Sequence, residues 1–131
     1  LVPPAARLRS LFDPTPLFAL NSPAHRQRVQ AQIADSAREA NHAGESRRAA
    51  ELFERANSVL PSNALLISAL NMRLKCGEPS LALAGYGRAL ATRLTPSQRE
   101  HVQRKMCDAF VAHASARAEA ALLLLQARLR L

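Results

Sequence analysis

Histidine, cysteine and carboxylate side chains are the groups in this chain that could carry catalysis or hold a metal ion, and their spacing favours neither. None of the four histidines, His25, His42, His101 and His113, lies three or four residues from another, the spacing of metal ligands on one helix. His113 follows Cys107 by six residues, which does not place the two on one helical face. The chain also lacks an HExxH motif, a phosphate-binding loop and a nucleophile elbow. We therefore predict a protein that is not an enzyme and uses no cofactor, metal ion or small-molecule substrate.

The two cysteines, Cys76 and Cys107, do not form a CxxC pair or a disulfide framework. Free thiols in a reducing compartment are therefore expected. Residues 1–34 contain four arginines and one acidic residue, which is compatible with a segment just after a mitochondrial presequence. The alternative is an ordinary basic N-terminal tail, so the compartment stays open between the mitochondrion, another organelle and the rest of the cell.

Basic side chains are the second group that could do chemistry, because they bind phosphates and carboxylates. Lysine and arginine outnumber acidic residues by 18 to 10, for a net charge of +8. Such a surface attracts nucleic acid, acidic protein segments or anionic lipid, although a merely solvated surface is the alternative. The richest stretch carries seven bases against two acids, and these bases are Arg73, Lys75, Arg88, Arg93, Arg99, Arg104 and Lys105.

The elements that must position these side chains are helices. Alanine occupies 26 positions and leucine 21, whereas glycine occupies 4 and aromatic residues only 4%. Alanine and leucine favour helix, and an all-β domain would need β-branched and aromatic residues instead. The sequence therefore predicts an all-α fold, and its length indicates one domain after any terminal segment.

Breakers and capping residues divide the chain. Five of the eight prolines lie within the first 23 residues, so residues 1–21 are predicted to be an extended docking segment, with Phe12, Leu17 and Phe18 as apolar contacts. Ser22-Pro23 then begins a helix, and Thr95-Pro96-Ser97-Gln98 resembles a capping box. Helical spacing of apolar residues predicts helices at about 23–41, 45–60, 64–75, 79–94 and from 96 onward.

An internal repeat with an offset of 33 residues underlies this pattern. Its first copy is Gly44, Ala49, Phe53 and Ala56, and its second is Gly77, Ala82, Tyr86 and Ala89. Glycine permits a tight turn, the small alanines permit close helix approach, and the aromatic residue fills the gap between neighbouring pairs. The pattern resembles the tetratricopeptide repeat over residues 30–96.

The resemblance implies a superhelix of two to three helical hairpins, at about 23–60, 63–94 and 96–131. Ala120, Leu124 and Ala127 repeat the pattern at a longer offset, and a single long capping helix is the alternative to this third hairpin. Asn71 departs from the family pattern, which prefers a small residue there. Gly85 and Gly87 flank Tyr86 and indicate either a close helix approach or simple tolerance of glycine.

In the family, the first helices of the hairpins line a groove that binds other proteins. Mapped onto this chain, the resemblance assigns the groove to Arg38, Asn41, His42, Ser68, Met72 and Lys75. Some members clamp a C-terminal carboxylate with Lys and Asn on the first groove helix. Ala34 and Arg38 occupy those positions here, so the clamp is not expected, although a basic groove suits an acidic segment.

The apolar run from Ala120 to Leu125 is too short to span a bilayer. Its leucines point around more than half of a helix, with Leu122 and Leu125 on one stripe, which predicts either a tightly packed central helix or a protein contact. Together these features predict a protein–protein interaction scaffold or adaptor, a small structural subunit of a larger complex. The alternative is a helical-repeat subunit of a ribonucleoprotein, such as an organellar ribosome, that contacts RNA phosphates.

Overall fold

The structure is a computed structural model that describes residues 22–130. The predicted docking segment 1–21, with Phe12, Leu17 and Phe18, lies outside this range. The described residues form five helices and no strand. The helices are α1 (Pro23–His42), α2 (Ser46–Val59), α3 (Asn63–Lys75), α4 (Pro79–Leu90) and α5 (Pro96–Arg130). The predicted all-α fold is thus confirmed, and no helix within 22–130 has the length and apolar character needed to cross a membrane.

Side chains cap the helices where the sequence indicated. The Ser22 hydroxyl accepts a hydrogen bond from the His25 N–H at 3.1 Å, at the start of α1. At the start of α5, the Gln98 N–H donates to the Thr95 Oγ1 at 3.1 Å and the Thr95 N–H donates to the Gln98 Oε1 at 3.0 Å. These reciprocal bonds are those of a capping box, so the predicted helix start is confirmed.

The turns after α1 and α3 have the same geometry. Gly44 has φ of 81° and Gly77 has φ of 88°, a region that residues with a Cβ rarely adopt. In the first turn the Gly44 N–H donates to the Asn41 carbonyl and the Glu45 N–H donates to the Ala40 carbonyl. The same two bonds recur 33 residues later. Each turn is therefore a Schellman ending that reverses the chain into the following helix.

The repeated alanine and aromatic residues form the centre of the core. Ala49, Phe53 and Ala56 on α2 are buried, and so are Ala82, Tyr86 and Ala89 on α4. The first set packs with α1 and α3, and the second packs with α3 and α5. Helices α1 and α2 therefore pair as one hairpin, α3 and α4 pair as the next, and the first half of α5 covers α4.

The predicted third hairpin is wrong, because residues 96–130 form one continuous helix. Val102 and Ala109 are its buried residues and pack in the α4 cluster, whereas every residue from 114 to 130 is exposed. Leu124, the central residue of the proposed third copy, is 67% exposed. The region around Ser115 contains neither glycine nor proline, and its alanines favour helix, so nothing there turns the chain. The alternative of one long helix is what the chain adopts.

Gly85 confirms the close helix approach. A Cβ placed on it would overlap the Cδ2 of Leu70 on α3 and lie 3.2 Å from its Cγ. At Gly87 the nearest atom to such a Cβ is the Met106 Cε, at an ordinary 3.8 Å. Only the first of the two glycines is therefore required by packing.

Candidate interaction surfaces

Two of the predicted groove residues contact each other, and a third lines a cavity. On α3, the Lys75 ammonium donates to the Asn41 Oδ1 on α1 at 2.8 Å, which joins the C-terminal ends of the two helices. Ser68 lines a cavity of about 380 Å³ between α3 and α5, together with Asn71, His101 and Arg104. The cavity is open, and its lining combines polar side chains with the apolar Ala64 and Ile67. Its polar side chains can exchange hydrogen bonds with an extended polar segment.

The other groove residues contribute less. Arg38 is exposed and paired with Asp35 at 2.8 Å, three residues away on the same helix. His42 is exposed in the last turn of α1. Met72 packs against the core cluster that α1 and α2 form, so it supports the groove more than it lines it. Arg38 and His42 are therefore available at the surface, and Met72 is largely committed to packing.

A hydrogen-bond chain across three helices forms one side of this cavity. The Tyr86 hydroxyl on α4 donates to the Asn71 Oδ1 on α3 at 2.5 Å. The Asn71 amide lies 3.0 Å from the His101 Nε2 on α5. Since the amide nitrogen only donates, the His101 Nε2 is the acceptor of this bond. Burial raises the pKa of Tyr86 above its usual range, and the negative charge of Asp108 adds to the effect.

Sequence reasoning missed this chain of bonds, although it found one signal. Asn71 departs from the small residue that the repeat pattern prefers, and the structure supplies the reason. Its amide is the group that pairs with the Tyr86 hydroxyl, whose residue is fully buried. A buried hydroxyl without a partner is costly, so the large polar residue at 71 is a structural requirement of the tyrosine at 86.

Arg73 does not offer a free charge to a partner, although it was predicted as part of the basic surface. Its guanidinium holds the Glu54 carboxylate with two bonds of 2.6 and 3.1 Å and donates to Glu78 at 3.2 Å. Its side chain is only 15% exposed. The hydrogen bond to Glu54 raises the pKa of Arg73, despite the opposing effect of burial. The Cys76 thiol and then the Arg73 charge lower the pKa of Glu78.

Five of the predicted basic residues carry charges that no carboxylate neutralises within residues 22–130. They belong to the end of α4, the turn that follows and the first third of α5. These residues are Arg88, Arg93, Arg99, Arg104 and Lys105. Four of them are exposed and Lys105 is half-buried. We call these five residues the basic surface below. Lys75 lies apart from them, at the C-terminal end of α3, where it is bonded to Asn41.

The second half of α5 carries five of the eight exposed large apolar side chains of the described residues. Leu122 and Leu125 are both more than half exposed, so the predicted tightly packed central helix is wrong. Phe110 and Val111 are exposed as well, and with Leu83 and Met106 they line an apolar cavity of about 570 Å³ against α4. Exposed apolar patches of this extent mark interaction sites more often than ordinary surface.

Within residues 22–130 no three histidine, cysteine or acidic side chains are placed to hold one metal ion. Both cysteines are free thiols, and Cys107 is exposed. Burial, and then the Glu78 carboxylate, raise the pKa of the Cys76 thiol, which disfavours its thiolate form. No family model, no curated protein and no solved structure matches this chain.

Proposed function

We propose that the protein is a non-enzymatic interaction scaffold or adaptor, a small structural subunit of a larger protein assembly. The observation that carries this proposal is the second half of α5. Residues 114–130 extend about 25 Å at the rise of an α-helix, all of them are exposed, and they include Leu122–Leu125 and Leu129. Leaving this much apolar surface in water is unfavourable, whereas contact with another protein removes it from water.

The paired helices and their identical glycine turns support membership of a tetratricopeptide-like repeat family, with two hairpins and a long last helix. On this proposal the face formed by α1, α3 and the start of α5 is the binding groove. Lys75 and Arg104 lie along it, and both suit an acidic segment of a partner. The groove and the apolar half of α5 would then hold different parts of the assembly.

The test is affinity purification of the tagged full chain from its own cells, with nuclease-treated and untreated halves of the same extract. We expect a partner set that survives nuclease and is lost when Leu122–Leu125 are all replaced by Gln. The control replaces Arg117 and Arg128 with Gln, because these residues lie on the same helix and contribute charge rather than apolar area. A partner set that the four replacements leave intact would overturn the proposal.

A second candidate function is RNA phosphate binding, and the unneutralised basic surface is the observation that favours it. Within residues 22–130 Phe53 and Tyr86 are buried, so Phe110 is the one exposed aromatic side chain there on which a base could stack. Binding would therefore depend mainly on phosphate contacts and weaken steeply with salt. Fluorescence anisotropy with a labelled single-stranded RNA, between 50 and 300 mM salt, tests this candidate. An affinity unchanged by salt, or unchanged after Arg99→Gln and Arg104→Gln, would exclude it.

A further inference from the structure

The exposed half of α5 carries a stripe with the spacing of a coiled-coil seam. Its residues recur at alternating intervals of four and three, and they are Val111, Ser115, Ala118, Leu122, Leu125 and Leu129. All six are exposed, and the four large ones expose 54–79% of their surface. Alternation of four and three residues keeps a stripe on one side of a helix that supercoils around a partner helix.

This stripe faces away from the chain's own core. At 3.6 residues per turn, it lies roughly 120–180° around α5 from Val102 and Ala109, the residues that are buried against α4. When the spacing of four and three residues is continued toward the N-terminus, it reaches Asp108 and Arg104, which are charged. The apolar stripe therefore ends at Val111. Its length from Val111 to Leu129 is about 27 Å. All its residues are exposed, and Val111 at its first end borders the apolar cavity beside Leu83 of α4.

The sizes of the side chains indicate which partner fits. The stripe is small in its first half, with Ser115 and Ala118, and large in its second half, with Leu122 and Leu125. In an antiparallel pair of α5 helices whose midpoint lies between Ala118 and Leu122, each small residue of one copy lies opposite a leucine of the other. A parallel copy would instead place small against small and leave voids, which close packing disfavours.

The charges beyond the stripe favour the same orientation. In a parallel pair, Arg104 and Asp108 would each face their own counterparts, which is repulsive. In the antiparallel pair, Asp108 of one copy and Arg130 of the other lie on the same side of the seam and at nearly the same height along it. Their opposite charges attract. Glu119 approaches its counterpart across the centre, but on an exposed flank where water and salt screen the repulsion.

We propose that two copies of this chain pair antiparallel through the outward stripe of α5. The inference rests on the proposed function in treating this helix as an interaction surface, and it adds the identity of the occupant. Each copy carries a net charge of +8. The two copies repel at long range, and ionic strength screens that repulsion, so pairing through apolar contacts strengthens as salt rises.

The test is sedimentation equilibrium of the purified full chain at 5–300 µM, in 50 and 500 mM salt. We expect the mass to rise from 14.3 kDa toward twice that value, with association several-fold tighter at the higher salt. Replacing Leu122, Leu125 and Leu129 with Gln should make the chain monomeric throughout. The matched control is Leu123→Gln with Leu124→Gln, which removes leucines from the other side of the same helix and should leave association within about twofold.

Orientation is tested with chains whose native cysteines are replaced by serine. One carries Ala118→Cys and the other carries Leu122→Cys, and on mild oxidation the mixture should form the mixed disulfide in preference to either symmetric one. A dominant disulfide between two copies of Ala118→Cys would overturn the antiparallel arrangement. Helix content measured by circular dichroism confirms that each variant is folded.

A wild-type chain that stays monomeric at 300 µM would overturn self-pairing. So would equal loss of association in the two leucine variants, because that result indicates unspecific adhesion. Neither result decides the proposed function, which depends on whether other proteins co-purify through the leucines. Conversely, a clean dimer that captures no other protein would support the pairing and contradict the role as a subunit of a larger assembly.

Discussion

Replacing Asn71 with Ala tests the hydrogen-bond chain that joins α3, α4 and α5. Tyr86 is fully buried, and its hydroxyl donates only to the Asn71 Oδ1. An unsatisfied buried hydroxyl costs about 1–3 kcal/mol. Because Asn71 borders the open cavity between α3 and α5, water can enter and partly replace the amide, so we expect the lower part of that range. A loss of about 1–2 kcal/mol corresponds to roughly 3–10 °C in Tm for a domain of this size.

The assay is urea unfolding followed by circular dichroism, for Asn71→Ala, Tyr86→Phe and the double variant. Tyr86→Phe should cost less, at most about 1 kcal/mol, since it leaves a half-buried amide that water can reach. In the Tyr86→Phe background, Asn71→Ala should destabilise the protein by about 0.5–1.5 kcal/mol less than it does in the wild-type background. A loss that is the same in both backgrounds would refute the reasoning, because Asn71 would then act independently of the tyrosine.

Three further predictions concern the core and its charges. Tyr86 is the chain's single tyrosine, so absorbance at 295 nm should report a titration well above pH 10. Since the unfolded tyrosine ionises near pH 10, its burial should cost about 1.4 kcal/mol of stability for each pH unit above that value, a slope absent from Tyr86→Phe. Gly85→Ala should destabilise by about 0–2 kcal/mol because its methyl group meets Leu70, whereas Gly87→Ala should stabilise by up to about 1 kcal/mol in chemical denaturation. Arg73→Met should cost about 1–2 kcal/mol in the same assay, against at most about 0.5 kcal/mol for Arg38→Met, whose ion pair is exposed.

The helices and most of their ends could be predicted because their signals are local. The end of α4 was predicted wrongly, at about residue 94, whereas the helix ends at Leu90. A serine before a proline, a threonine three residues before a glutamine and a glycine after an apolar helix each act within one turn. The 33-residue repeat also identified the residues that pack between helices. Phe53 and Tyr86 are buried as their positions in the pattern indicate, since an aromatic residue among small ones fills the space that they leave.

The polar pairs could not be predicted, because they join residues distant in sequence. Arg73 bonds Glu54 across 19 residues, and Asn71 reaches His101 across 30. From sequence, Arg73 is one of seven bases between residues 73 and 105 and is expected to be available to a partner. Only the packing of α2 against α3 shows that its charge is already used by the protein itself.

The third copy of the pattern fails for a different reason. Ala120, Leu124 and Ala127 repeat the helix-packing residues, but no glycine precedes them. In the first two copies the glycine adopts a positive φ and reverses the chain, which brings the alanines against a neighbouring helix. Without that reversal the same residues continue straight into solvent. A packing motif therefore predicts burial only where a turn also supplies the helix that buries it.

The basic surface and the leucine stripe lie on one helix but respond to salt in opposite directions. Arg99 and Arg104 belong to the first third of α5, and the stripe begins at Val111. Phosphate binding releases counterions and weakens as salt rises. Pairing of two copies that each carry +8 brings like charges together and strengthens as salt screens them. Measuring both RNA affinity and self-association across one salt series therefore assigns each activity to its own part of α5, because no single surface can produce both slopes.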